Sequence, residues 1–287
     1  MTLGLLILLF VAYQLWGTGV YESQQQDKLA SQFQQEIRKQ PTTTTTSGTA
    51  PAVTTTTAPT PAAPQGDAVG HIVIPKIGVD KYVVQGVGVP DLRKGPGHYP
   101  NTPMPGQAGN AAIAGHRTTY GAPFNRLDEL NVDDQIQITT TQGTFTYKVD
   151  KQPYAVQPTQ TDVLAPTTGA TLTLTTCTPK FSASQRLIVQ AALVLPKDQT
   201  PLPTAATTPA VATKSTESLA QAESAATGTS LAPTYLWGFF VLIVGGLWWL
   251  VFHRYQRWTV WLVGVIPFLA VLFVFYVYLE RVLPQNY

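Results

Sequence analysis

One cysteine, Cys177, occurs in the 287 residues, so no disulfide can form within the chain. A lone cysteine is either a small buried hydrophobe or a reactive thiol. Composition alone favours the first; the neighbouring residues supply the second. The run T-L-T-L-T-T-C-T-P-K-F-S-A-S-Q-R spans residues 171–186. Its Leu/Thr half suits a strand that ends on Cys177, and Pro179 then breaks the ladder. Arg186 opens the next apolar run. If the two strands pair antiparallel, thiol and guanidinium sit on neighbouring strand ends. A guanidinium favours the thiolate and can donate hydrogen bonds to an oxyanion formed on an attacked carbonyl. Thr176, beside the cysteine, offers a hydroxyl or a backbone donor for the same oxyanion. Proton transfer needs a further group, and His116 is the best placed of the four histidines, ending the run N-A-A-I-A-G-H-R. The competing reading is a surface histidine.

These side chains need strands to position them. Residues 71–74, 82–84, 110–114, 135–140, 144–149, 170–176 and 187–194 are rich in Val, Ile, Thr and Tyr and are separated by Gly, Pro, Asn and Asp turns. Gln142-Gly143 lies between two alternating runs and predicts a tight hairpin. Residues 123–130 suit a short helix. Short strands at this spacing predict an all-β barrel or sandwich for residues 69–196, a length that forms a core without staples.

The rest of the chain is organised around that domain. Residues 3–20 are almost wholly apolar and just long enough to span a bilayer; with no small-x-small cleavage site following, they read as an uncleaved anchor over 1–22. Residues 23–68 hold an amphipathic stretch, with Leu29, Phe33 and Ile37 at four-residue spacing, and then a Thr/Pro-rich stalk unable to bury a core. An Ala/Thr/Pro-rich linker fills 197–234. Two further apolar spans are expected at 235–252 and 259–280, with a tail at 281–287. The loop 253–258 between them carries Arg254 and Arg257, which puts it in the cytoplasm by the positive-inside rule. The β domain is then extracytoplasmic on a multi-pass membrane protein.

Four segments together resemble the sortase family: I-P-K-I-G-V-D (74–80), G-P-G-H-Y-P (95–100), G-N-A-A-I-A-G-H-R-T-T-Y-G-A-P-F-N-R-L-D-E-L (109–130) and T-L-T-T-C-T-P-K-F-S-A-S-Q-R (173–186). They follow the family's order and cover the middle domain. H-R-T-T-Y-G-A-P-F and the spacing from Cys177 to Arg186 look most like class E, with class D the close neighbour. The resemblance implies an eight-stranded β-barrel with short helices and a cysteine transpeptidase. Cys177 would attack the Thr carbonyl of an LPXTG-like or LAXTG-like sorting signal on a surface protein. Arg186 and Thr176 would hold the oxyanion, and His116 as imidazolium would protonate the departing Gly amine. A peptidoglycan-precursor amine would then release the thioacyl enzyme, with hydrolysis as the side reaction. Tyr120 resembles the class E position linked to LAXTG recognition; its hydroxyl would bind a peptide N–H that Ala has and Pro lacks.

No cofactor or metal is implied. The loop 157–169 has Asp162 as its single carboxylate, too few oxygens for a hard cation. Asp128 and Glu129 read as a solvated helix face, and Asp133 and Asp134 as a turn. A net charge of +2 with no basic cluster gives no footprint for nucleic acid. An L,D-transpeptidase would couple His, Gly and Cys within a few residues, which the surroundings of Cys177 do not. A cysteine protease with water as acceptor and a non-enzymatic barrel that binds protein tails remain as alternatives. Finally, Leu231-Ala232-Pro233-Thr234 precedes an apolar span and basic loop in the order of a sorting signal. It reads either as a built-in pseudo-substrate or as coincidence in an Ala/Pro/Thr-rich linker.

Overall fold

The strand-rich middle of the chain closes on itself. The computed structural model describes residues 9–10, 13–39, 63–194, 232–252 and 258–282. Nine strands form in order: β1 (Ala68–Ile74), β2 (Val79–Gln85), β3 (Gly97–His98), β4 (Gly109–Ala114), β5 (Gln135–Thr140), β6 (Gly143–Val149), β7 (Tyr154–Val156), β8 (Ala170–Thr178) and β9 (Gln185–Leu193). Eight follow one another as β6-β5-β1-β2-β3-β4-β8-β9, and a β6–β9 pairing closes the ring into a barrel. Closure gives each of these eight strands a partner on both sides over part of its length. The ninth strand, β7, pairs with residues 186–188 of β9, while β6 pairs with residues 191–193.

Strand alternation sorts side chains onto two faces. Ile72 and Ile74 of β1, Ala111 and Ile113 of β4, Leu172 and Leu174 of β8, and Leu187, Val189 and Ala191 of β9 belong to one buried cluster, the barrel interior. The intervening Ala112, Ala114 and Ile188 belong to a second, with Tyr99, Val156 and Val163. That second cluster is the outer layer, beneath β7 and the 3-10 turn Asp162–Leu164.

The predicted strands all form, some extended by a few residues, and the Gln142-Gly143 hairpin joins β5 to β6, pairing Thr140 with Gly143. The two- and three-residue strands β3 and β7 are too short to show a period and escaped the sequence reading. The helix expected over 123–130 is a 3-10 turn, Leu127–Glu129.

The amphipathic helix is longer than expected. As α1 it runs Thr18–Lys39 and belongs to the barrel's compact unit, the segment Thr18–Ala222. Leu29 and Phe33 pack with Ala68, Val84 and Tyr82. Thr18 and Glu22, within the stretch expected as the anchor, are each 1% exposed and contact Tyr120 and Lys81 of the barrel unit. A single helical turn, α2 (Val89–Leu92), joins β2 to β3.

The other compact unit comprises Met1–Gly17 and Glu223–Asn286. Its helices α3 (Ala232–Phe252) and α4 (Trp258–Val282) pair antiparallel, with Trp237 stacked on Tyr278 and Trp248 against Phe268. Among the described residues one helical stretch, Ala232–Leu250, is long and apolar enough to cross a membrane; Val265–Leu279 is a shorter apolar run. Ala232 to Thr234 form the first turn of α3 rather than an extended peptide. The stalk at 40–62, the linker at 195–231 and the loop at 253–257 lie outside the described residues.

Candidate active site

Cys177 and Arg186 are direct cross-strand partners of β8 and β9. Residues directly opposite share a face, so both belong to the outer face of the barrel. Val156 of β7 pairs with Arg186 on its other side. Arg186 is 8% exposed, and its Nη1 donates to the carbonyls of Ala183 (2.9 Å) and Gln185 (3.3 Å). The loop between the strands thus fixes the head of Arg186 at the strand ends.

β4 runs parallel to β8, so both deliver their C-terminal ends to the same rim. The Gly115 N–H donates to the Thr175 carbonyl at 3.0 Å, and the Thr176 hydroxyl donates to the Gly115 carbonyl at 2.7 Å. Arg117 Nη1 donates to the Cys177 carbonyl at 3.3 Å. His116 is therefore held between two residues bonded to the end of β8. A side chain at position 115 would run into Phe124, with an added Cβ 2.7 Å from its ring, so glycine is needed there for the close approach.

His116 keeps some exposed surface as a residue, but its Nε2 is sealed from solvent and hydrogen-bonds to none of the described residues. The Tyr120 ring lies against the imidazole, centroids 5.2 Å apart, and the Arg93 guanidinium sits 5.5 Å above the Tyr120 ring. Burial first, and the Arg93 charge second, push the His116 pKa down to about 4. In this state the imidazole is neutral at pH 7.

Two predicted site residues make contacts that the sequence did not anticipate. The Thr176 hydroxyl donates to the Gly115 carbonyl, on the face opposite Cys177, so of the two donors expected of Thr176 the hydroxyl is engaged elsewhere. Tyr120 is 5% exposed and engages His116 and Arg93 rather than an open groove.

Residues 72–194 match the family described as Sortase domain. A solved sortase E from Streptomyces avermitilis is 41% identical, covering 46% of this chain and 91% of that one, with a TM-score of 0.43. The chain belongs to the sortase family. It is also 34% identical to Sortase SrtE1 of Streptomyces coelicolor, over 67% of this chain and 54% of that protein. Sortase D of Bacillus subtilis is 34% identical over 40% of this chain and 56% of its own length. The chain thus spans about half the length of these two curated relatives.

The sortase domain also holds site residues that the sequence reading passed over. The Tyr99 hydroxyl is hydrogen-bonded to the Thr175 side chain and lies close enough to Arg186 and Cys177 to feel both charges; burial pushes its pKa up to about 12. The sequence offered a signal, since Tyr99 stands within G-P-G-H-Y-P, but no spacing rule links it to Cys177. Asp128, read as solvated, forms an ion pair at 2.9 Å with Arg117, which is 4% exposed. His98 is a structural histidine, 1% exposed and bound to Gln85 and to the Pro103 carbonyl.

Proposed function

We propose that this protein is a sortase-type cysteine transpeptidase with Cys177 as nucleophile, Arg186 as oxyanion donor and His116 as acid–base group. The observation that carries the reading is the pairing of Cys177 with Arg186 across β8 and β9, with His116 delivered to the same rim by β4. The Cys177 sulfur attacks the Thr carbonyl of an LPXTG- or LAXTG-type signal. Arg186 donates to the oxygen as it gains charge. His116 transfers a proton to the departing amine, the C–N bond breaks, and a thioester remains. That thioester keeps its acyl-transfer potential until an amine, from a peptidoglycan precursor in this reading, replaces the sulfur. Burial and the Arg93 charge hold the imidazole neutral and weakly basic, so transfer of the thiol proton to its nitrogen requires that burial to be relieved. Peptide binding that opens the Tyr120 side of the ring would let the charged form persist. Tyr99 borders the reacting pair and contributes to the pocket for the signal; Tyr120 acts beside His116, and its effect on Ala-over-Pro preference runs through that contact.

The apolar helix Ala232–Leu250 fits a membrane-attached enzyme. The arginines of the 253–258 loop support a multi-pass topology with the catalytic domain outside the cytoplasmic membrane. The deciding experiment incubates the full-length protein in detergent with LAXTG and LPXTG peptides, with and without diaminopimelate or triglycine, and follows products by mass spectrometry. Amine-dependent ligation with a thioacyl adduct on Cys177 is expected. Hydrolysis alone indicates a protease, and binding without turnover indicates a tail-binding module.

A further inference from the structure

The most buried polar residues of α1 are not where an amphipathic helix normally keeps them. Thr18, Glu22 and Gln26 recur every four residues, 1%, 1% and 9% exposed, on the same side as Leu29 and Phe33. Burying three polar side chains is costly unless each meets a partner, and each does. The Thr18 hydroxyl accepts the Tyr120 N–H at 3.2 Å. The Glu22 carboxylate faces Lys81, with Nζ 2.8 Å from Oε1 and 2.9 Å from Oε2, and its other side abuts Gly121. A Cβ added to Gly121 would lie 2.5 Å from Glu22 Oε2. Gln26 spans the Tyr82 backbone and the Lys94 carbonyl, one residue from Arg93.

The turn gripped by Thr18 and Glu22 needs gripping. Tyr120, Gly121 and Ala122 have φ of 50°, 71° and 43°, three successive residues in the left-handed region, two of them not glycine. Such a conformation persists only when its surroundings over-determine it. Here the surroundings are α1, with the Tyr21 ring set edge-on to Tyr120 at 6.2 Å. The Tyr120 ring also lies against His116, tilted by 34° with centroids 5.2 Å apart.

We propose that Thr18 and Glu22 are positioning residues for His116, holding the Tyr120–Ala122 turn so that the Tyr120 ring shields the imidazole. The proposal rests on His116 being the acid–base group of the reaction, and it gives the helix before the barrel a part in the chemistry. The charged and titratable groups around the imidazole are Arg93 from the β2–β3 connection, Arg117 beside it, Cys177 at the end of β8, and the Glu22–Lys81 pair behind the turn. The low His116 pKa accords with the shielding. Burial holds the Glu22 carboxyl above its ordinary value while Lys81 draws it down.

The test follows the four histidines by NMR in the full-length protein, selectively labelled and held in detergent, from pH 3.5 to 8. Thr18→Val removes the acceptor of the Tyr120 N–H without changing shape; Glu22→Ala removes the support behind Gly121. In both variants the His116 midpoint should rise from about 4 towards 6.5. The limb of the transpeptidation pH profile that reports His116 should move with it. His98, bonded to Gln85 and Pro103 and not to α1, should keep its midpoint. A wild-type His116 midpoint already near 6.5, or a His116 midpoint unmoved in Thr18→Val, overturns the proposal. So does a parallel shift of His98, which would mean general loosening. Should Glu22→Ala fail to fold, Thr18→Val decides alone. The titration needs no turnover, so an active His116→Asn variant would defeat the catalytic reading while leaving the positioning result legible.

Discussion

Arg117 and Asp128 connect the rim of the barrel to the backbone of Cys177, and their removal should not be additive. Arg117 is 4% exposed, with its Nε already buried and without a partner; Nη1 reaches the Cys177 carbonyl and Nη2 reaches Asp128. Deleting the carboxylate strands a cation in a buried site, whereas deleting both ends strands nothing. A hydrogen bond to a charged group is worth about 1.5–3 kcal/mol. The Asp128 side chain is 46% exposed, so solvent screening brings Asp128→Ala down to about 2 kcal/mol. Arg117→Met keeps the packing of the stem and should cost about 1 kcal/mol, mainly the bond to Cys177. The double variant should then cost about 1 kcal/mol, more stable than Asp128→Ala alone. No tryptophan lies in residues 63–194, so indole fluorescence cannot follow the barrel. Hydrogen exchange of peptides from β4, β8 and β9 can, and 2 kcal/mol reads as a roughly 30-fold loss of protection. If the double variant loses as much as the two singles added, the charges are uncoupled and the reasoning fails.

Four further outcomes are expected. Cys177→Ala should abolish transpeptidation while leaving barrel protection within about 0.5 kcal/mol of wild type, because the thiol is only partly buried; residual turnover would remove it as nucleophile. Arg186→Lys should lose most activity, since an ammonium cannot hold both loop carbonyls and still offer a planar donor to the oxyanion; near-normal kcat/KM would clear Arg186 of that role. Tyr99→Phe deletes the hydroxyl bonded to Thr175 beside Cys177 and should alter peptide KM or the Ala-over-Pro ratio; unchanged values for both peptides would count against its place in the pocket. Acid should destabilise the barrel: His98 and His116 sit near 4 when folded and 6.5 when unfolded, so the unfolded chain binds more protons between those values. Their contribution is full above pH 6.5 and lost as pH falls towards 4, and a flat exchange profile across that window would contradict the burial of both.

Much of this was legible in the chain itself. Alternating Val, Ile and Thr runs fixed seven strands because period-2 patterning responds to a single buried face. Cys177 and Arg186 could be paired on paper because antiparallel neighbours joined by a short loop must face each other. The tertiary structure decided what depends on closure and on parallel pairing. β4 and β8 are separated by more than fifty residues, so only their parallel registry brings His116 to the rim of Cys177. Strand parity, invisible until the barrel closes, sends the Thr176 hydroxyl inward to Gly115 and sets Tyr99 beside Thr175. The same holds for α1. Its leucine and phenylalanine spacing predicted a helix, but only the fold shows that Thr18 and Glu22 meet a strained turn about a hundred residues away. Local pattern encodes which face of an element is apolar; it carries no record of which distant backbone group a buried polar side chain must satisfy.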